Sequence, residues 1–249
     1  MDWASRTTTI TIKSASGLLP FRMFDNPLSQ AVNTAILEGK TYPIMDFVKD
    51  VKVIIDVGAN VGAASIHFAL RYREAIIYAF EPWADSFRLL SQNVAALPRI
   101  RAFDFGLLDS DCRMPLYLSN LDAVTNSVSS SPLNSGRFVE ICLRDAAAVC
   151  RQEQIQAIDV LKIDTEGCEL AILESLAGFL DKIKVIYLEY HDEADRLAID
   201  GLLKRTHILT GAKVIRPHLG ELCYVAYQAF PSLAHLEELR IRGVRSTPP

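Results

Sequence analysis

Two groups of residues in this chain have types and spacing suited to chemistry. The first is Asp56-Val57-Gly58-Ala59-Asn60-Val61-Gly62, directly after the apolar run Val53-Ile54-Ile55. A buried strand that ends in an acid and runs into two glycines at a helix start makes a turn that a ligand can approach. Gly58 permits the sharp turn and close backbone approach, and Gly62 lets the next helix pack on the strand. A glycine turn alone is weak evidence, because purely structural turns look the same. Glu81-Pro82 strengthens it: Glu81 ends a second apolar run, about twenty residues past the glycines, where a carboxylate accepts hydrogen bonds from ribose hydroxyls. The second group lies at the ends of two later apolar runs. Asp164, Glu166 and Glu169 follow Ile158–Ile163, and Glu189 and His191 follow Val185–Leu188.

Charge discriminates between nucleoside-bearing cofactors. A dinucleotide site usually reads G-x-G-x-x-G, with pyrophosphate on a helix N-terminus. Here Asn60 stands two residues after Gly58, so the second glycine is missing, and Asp56 adds negative charge that repels pyrophosphate. S-adenosylmethionine carries a sulfonium and an ammonium and no phosphate, so the residues favour it over NAD. The expected cofactor set is Asp56, Gly58, Ala59, Asn60, Gly62, Glu81, Pro82 and Asp164.

These residues must be positioned by regular elements. From residue 51 onward short apolar strands alternate with amphipathic helices. The expected helices are Ala63–Arg71, Trp83–Leu97, Glu169–Leu180 and Asp192–Arg205, between strands Ala75–Phe80, Ile100–Phe105, Ile158–Ile163 and Val185–Leu188. Continuous apolar strands in β-α-β order predict an α/β fold, a parallel sheet covered by helices on both faces. Val214-Ile215 and Leu222–Tyr227 lie too close for a parallel crossover and read as an antiparallel pair closing the sheet. Before residue 51 a lead-in or cap segment holds a short strand at Thr9–Ile12 and a helix over Pro27–Gly39. Residues 51–230 read as the cofactor-binding domain and 231–249 as a C-terminal helix and tail. Met114–Leu118 suggests a strand, and Ser119–Gly136 a long polar loop of the kind that covers a site.

Half of the 249 residues are apolar and 22% are charged, which suits a globular enzyme with a buried core. A net charge of -4 gives no general attraction to phosphate backbones and argues against a nucleic-acid partner. The five scattered cysteines form no C-x-x-C pair and read as reduced thiols. No apolar run approaches the ~20 residues of a membrane span, and no secretory signal is evident. The expectation is a cytoplasmic protein without a membrane partner.

Asp56–Gly62, Phe80-Glu81-Pro82, Leu161–Glu169 and Leu188-Glu189-Tyr190-His191 resemble the successive motifs of the FkbM-type methyltransferases, over about residues 40–230. Thr165 and Cys168 stand where that family commonly has valine and alanine. The resemblance implies a Rossmann-like class I methyltransferase fold, with a seven-stranded, mostly parallel sheet and an antiparallel last strand. It further implies transfer of a methyl group from S-adenosylmethionine to a hydroxyl of a small molecule, sugar or natural product.

Methyl transfer to a hydroxyl needs near-attack positioning and removal of a proton. The candidates are Asp164, Glu189 and His191, since ligands of open α/β sheets bind beyond the carboxyl ends of the strands. Each has a plainer explanation. Asp164 can cap a helix, Glu166 and Glu169 can stabilise a helix dipole, and His191 can be an exposed residue at a helix start. Asp164, Glu189 and His191 could hold magnesium or calcium, but the spacing does not demand a metal and none is assigned. His67 reads as structural, and His207, His218 and His235 as surface residues. The alternatives are an NAD-binding oxidoreductase and a non-catalytic module that binds cofactor without turnover.

Overall fold

The computed structural model describes residues 6–14, 17–119, 126 and 134–230. It opens with an antiparallel hairpin of β1 (Thr7–Ser14) and β2 (Gly17–Phe24), followed by α1 (Pro27–Leu37). Asn26 caps α1, its side chain accepting from the Ser29 amide, and Pro27 occupies the first helical turn, where its missing N–H costs nothing.

The central element is a seven-stranded sheet. Its strands are β3 (Val53–Val57), β4 (Ile76–Phe80), β5 (Ile100–Phe103), β9 (Ile158–Ile163), β10 (Ile183–Tyr190), β11 (His207–Arg216) and β12 (Leu219–Ala226), in the spatial order β11-β12-β10-β9-β3-β4-β5. From β10 to β5 all neighbours are parallel; β12 runs antiparallel to both β10 and β11. Helices α2 (Ala63–Arg71) and α3 (Ala84–Val94) lie with α1 on one face. Helices α4 (Ala146–Gln152), α5 (Glu169–Ser175) and α6 (Glu193–Leu203) cover the other. The alternation of strand side chains explains this: Ile54 belongs to the buried core that includes Phe68 and Leu90, while its neighbour Ile55 belongs to the opposite core with Ile172 and Leu203.

The structure departs from the sequence-based expectation in several places. A three-stranded sheet of β6 (Gly106–Leu108), β8 (Asn134–Asp145) and β7 (Cys112–Ser119), in the order β6-β8-β7, leads into α4. Most of the expected Ser119–Gly136 loop lies outside the described residues. The β8 strand was legible, because Val139, Ile141 and Leu143 alternate with Glu140, Cys142 and Arg144. Helix α5 stops at Ser175 and continues as a 3-10 helix over Leu176–Lys182. His207 is a correction: it is not a surface residue but buried, its Nε2 3.1 Å from the Ile183 carbonyl and its Nδ1 2.8 Å from the Thr206 hydroxyl. Desolvation by the sheet edge lowers its pKa and keeps it neutral. His67 is buried against the Tyr42 carbonyl at 3.1 Å, in keeping with a structural role, and His218 is exposed. His235 and the tail lie outside the described residues. The lead-in does not stand apart: Phe21, Met23, Phe24 and Tyr42 share one core with α2 and α3. Among the described residues no helix is long and apolar enough to cross a membrane.

Candidate cofactor and acceptor site

The carboxyl ends of β3, β4 and β9 lie side by side, which brings the glycine turn, Glu81 and Asp164 together. Gly58 has φ +72°, and a Cβ there would lie 1.8 Å from the Asp164 carbonyl oxygen, so no side chain fits. Its amide and that of Ala59 both donate to the Phe80 carbonyl. Asn60 is also left-handed, at φ +49°. Its amide donates to Glu81 Oε2 at 2.8 Å, and its side-chain oxygen accepts from the Ser86 hydroxyl at 3.0 Å. Gly62, at φ +92°, starts α2 where a Cβ would lie 2.7 Å from Leu90 Cδ1, so its role is close helix packing.

Glu81 is buried, and its second oxygen accepts from the Trp83 amide at 2.8 Å. Burial pushes its carboxyl up to about 7, against the opposing pull of those two amides and of Lys162. Asp164 is raised to about 8, again by burial, with Lys162 pulling down and Glu189 and Glu166 pushing up. Both acids therefore titrate near neutrality, as groups in functional clefts often do.

Asp56 does not line the cleft. It is fully buried beneath the turn, where Oδ2 accepts from the Ser65 hydroxyl at 2.6 Å and Oδ1 lies 3.2 Å from Lys162 Nζ. Lys162 was absent from the sequence-derived set, although a lysine between the apolar residues Val160, Leu161 and Ile163 is a signal in its own right. Its ammonium donates to the carbonyls of Gly58 (2.6 Å) and Val57 (3.1 Å) and lies 3.9 Å from Asp164 Oδ2. Burial alone would lower its pKa; Asp56 and Asp164 outweigh that and hold it charged. It therefore ties the glycine turn to both carboxylates.

Above the turn is a cavity of about 110 Å³. Its walls include Gly58, Ala59, Asn60, Glu81, Pro82 and Asp164 from the expected set, but neither Asp56, Gly62, Glu189 nor His191. Sequence reasoning missed three further walls: Asn33 and Ile36 of α1, Trp83 and Ser86 at the start of α3, and Leu107, Ile141 and Leu143 of the small sheet. The result is amphipathic, with carboxylates along the strand ends and an apolar slot beyond Pro82. Asn126 also lines it; the side-chain oxygen accepts from the Ser119 amide, and the buried Nδ2 has no hydrogen-bond partner among the described residues. A buried donor of this kind calls for an acceptor, such as a purine ring nitrogen or a ligand carboxylate. The walls thus fit a nucleoside with a cationic tail.

At the edge of this cavity, where Asp164 and Glu166 form part of the wall, Asp164, Glu166, Glu189 and His191 bring one ligand atom each within 4.8 Å of one another. The set could hold a divalent ion. It already contains a cation, however. His191 Nε2 lies 3.2 Å from Glu166 and 3.5 Å from Glu189, and Nδ1 lies 3.3 Å from Glu169. Burial would lower the imidazole pKa, but the glutamates raise it far above the usual histidine range. The same Glu169 oxygen, Oε1, accepts from the amides of Thr165 and Gly167 and from the Thr165 hydroxyl.

Residues 56–237 match the family model described as the methyltransferase FkbM domain. The chain is 30% identical over 154 residues to methyltransferase sdnD of Sordaria araneosa, covering 49% of this chain and 60% of that protein. It is 23% identical over 155 residues to 2-O-methyltransferase NoeI of Sinorhizobium fredii, covering 57% and 64%. It is 24% identical over 159 residues to hexuronic acid methyltransferase AglP of Haloferax volcanii, covering 64% of each. The matches thus span less than two thirds of each of these relatives. Among solved structures, the Methanococcus jannaschii fibrillarin pre-rRNA processing protein superposes with a TM-score of 0.50 at 14% identity, over 88% of this chain and 82% of that one. At that identity the likeness concerns the fold.

Proposed function

The chain belongs to the FkbM methyltransferase family, and from that premise we propose that it methylates a hydroxyl oxygen of a small molecule or sugar, using S-adenosylmethionine. The observation that carries this reading is the cavity that joins Glu81, the Gly58 turn and Asp164 in one cleft. S-adenosylmethionine supplies a methyl group already activated on positively charged sulfur. The protein's work is then positioning and proton removal.

In this reading Glu81 accepts from the ribose hydroxyls, held in register by the Asn60 and Trp83 amides. Pro82, Leu107 and Leu143 enclose the base, and Asn126 Nδ2 donates to it. Asp164 faces the positive end of the donor and takes up the acceptor's proton. A carboxyl poised near 8 is well matched to that task. His191 is a poor base, since the surrounding glutamates hold a proton on it. It acts as a positioning cation that keeps Glu166 and Glu189 beside the cleft. The printed names of two relatives, a 2-O-methyltransferase and a hexuronic acid methyltransferase, support oxygen as the target and sugars as a substrate class. Three acidic side chains in the cavity, Glu81, Asp164 and Glu166, disfavour a pyrophosphate, and with it the NAD-dependent alternative.

Calorimetric titration with S-adenosylmethionine, S-adenosylhomocysteine and NADH tests the cofactor assignment. Micromolar binding of the first two, lost in Glu81→Ala, is expected, with none for NADH. Binding of NADH alone overturns it. Binding of the donor without turnover on any hydroxyl acceptor supports the module reading instead.

A further inference from the structure

We propose that Asn33 of α1 is a cofactor-binding residue, whose side-chain oxygen accepts from the ammonium of the methionyl tail. The proposal rests on the S-adenosylmethionine reading above. It adds a residue that the family match, over residues 56–237, does not reach.

Asn33 is out of place as a purely structural residue. It is 4% exposed in the interior of a helix, and its companions on the cavity wall, Val32 and Ile36, are apolar. Asparagine is a weak helix former, because its side chain competes for backbone hydrogen bonds. It does so here: Nδ2 donates to the Ser29 carbonyl at 2.7 Å and to the Ser29 hydroxyl at 3.2 Å. A bond back to the preceding turn adds little to a helix, but it fixes the amide. A carbonyl only accepts, so the nitrogen must face Ser29 and Oδ1 is turned away from it. Ser29 is itself buried, and its amide donates to the capping Asn26 oxygen at 2.8 Å, so the support is fixed in turn.

Oδ1 accepts no hydrogen bond among the described residues, and the side chain it belongs to is a wall of the cofactor cavity. An acceptor this far from bulk water is costly unless a ligand supplies the donor. Three kinds of group on S-adenosylmethionine donate: the base amine, the ribose hydroxyls and the ammonium. The base is placed with Asn126 and the small sheet, and the ribose with Glu81. Helix α1 instead packs on α2, whose first-turn residues Ala63 and Ala64 are also cavity walls. This is the glycine-turn side of the cleft, and it leaves the ammonium. An ammonium offers three N–H donors and takes an amide oxygen as readily as a carboxylate. The cavity already holds Glu81, Asp164 and Glu166. A fourth acid would repel all three, whereas the amide adds an aimed acceptor without charge.

The test is calorimetry on the full chain with S-adenosylhomocysteine, with its deaminated analogue, which lacks only the amino group, and with methylthioadenosine, which lacks the amino-acid tail. The native chain should prefer S-adenosylhomocysteine to the deaminated analogue by about tenfold or more. Asn33→Leu should bind S-adenosylhomocysteine about tenfold more weakly and erase that preference, with the other two ligands kept within about twofold. Asn33→Asp keeps an acceptor but gives up the amide donation to Ser29, and should retain the preference. Equal weakening of all three ligands in Asn33→Leu would mark a residue that merely shapes α1, and overturns the assignment. So does a native chain that binds the first two ligands equally, or an Asn33→Asp variant that loses the preference as the leucine does. In each of those cases the S-adenosylmethionine reading stands. Failure of S-adenosylhomocysteine to bind the native chain sinks both together.

Discussion

Asp56 and Lys162 are direct partners across β3 and β9, and their side chains form a 3.2 Å ion pair buried under the glycine turn. Neither side chain has more than 4% of its surface in water. Such a pair contributes little net stability over an apolar replacement, but removing one partner strands the other. Lys162→Met is therefore expected to lower the unfolding free energy by about 3–5 kcal/mol. It should also abolish cofactor binding, because the Gly58 and Val57 carbonyls lose their donor. The double variant Asp56→Leu/Lys162→Met should recover much of the stability and none of the binding. Urea unfolding and calorimetry report the two effects separately.

Gly58 and Gly62 differ in what a methyl group would strike. At Gly58 it meets a backbone carbonyl at 1.8 Å, which cannot move without shifting β9. At Gly62 it meets the end of the Leu90 side chain at 2.7 Å, which can rotate. Both also force a positive φ on alanine. Gly58→Ala should fail to bind S-adenosylmethionine at any concentration tried. Gly62→Ala should bind with reduced thermal stability and near-native affinity. Equal affinities in the two variants would contradict the placement of the turn.

The raised carboxyl of Glu81 gives opposite pH trends for stability and binding. Folding takes up a proton on Glu81 between its ordinary pKa of 4.5 and about 7, so its contribution to stability is full below that window and is lost as pH rises through it. A ribose hydroxyl needs the ionised form as acceptor, so cofactor affinity should fall about tenfold per pH unit below 7. Glu81→Gln should flatten that dependence. Titrations from pH 5.5 to 8.5 decide it, and a flat native profile would place the ribose elsewhere.

His191 supplies the positive charge that its carboxylate neighbours require. Its pKa is raised in the folded state, so the stabilisation is present below the ordinary imidazole pKa and is lost only as pH climbs through the elevated value, well above neutrality. Substituting His191→Gln should cost about 1.5–3 kcal/mol at pH 7.5, the range for interactions with charged groups, and more at pH 5, below the ordinary imidazole pKa, where the stabilisation is fully present. With this cation in place, EDTA or millimolar magnesium should leave the melting temperature of the native chain unchanged. A rise of several degrees with magnesium would show that the ion displaces the proton.

Much of the fold and half of the cofactor cleft are legible in the sequence, because both rest on local signals. Apolar runs of strand length, helical spacing between them, and paired glycines at a strand end act within a few residues. They identify β3, β4 and β9, and with them Gly58, Asn60, Glu81 and Asp164, whatever the rest of the chain does. Lys162 and Asp56 could be read as residues but not as a pair, since the parallel register that sets them side by side joins segments about a hundred positions apart. The same holds for His191, whose protonation depends on Glu166 and Glu169 arriving from another strand end. It holds for α1 and β8 as well, which become cavity walls only after packing against the sheet. Local periodicity decides which segments form. Burial and charge, which set what their side chains can do, exist only once distant segments exclude water from one another.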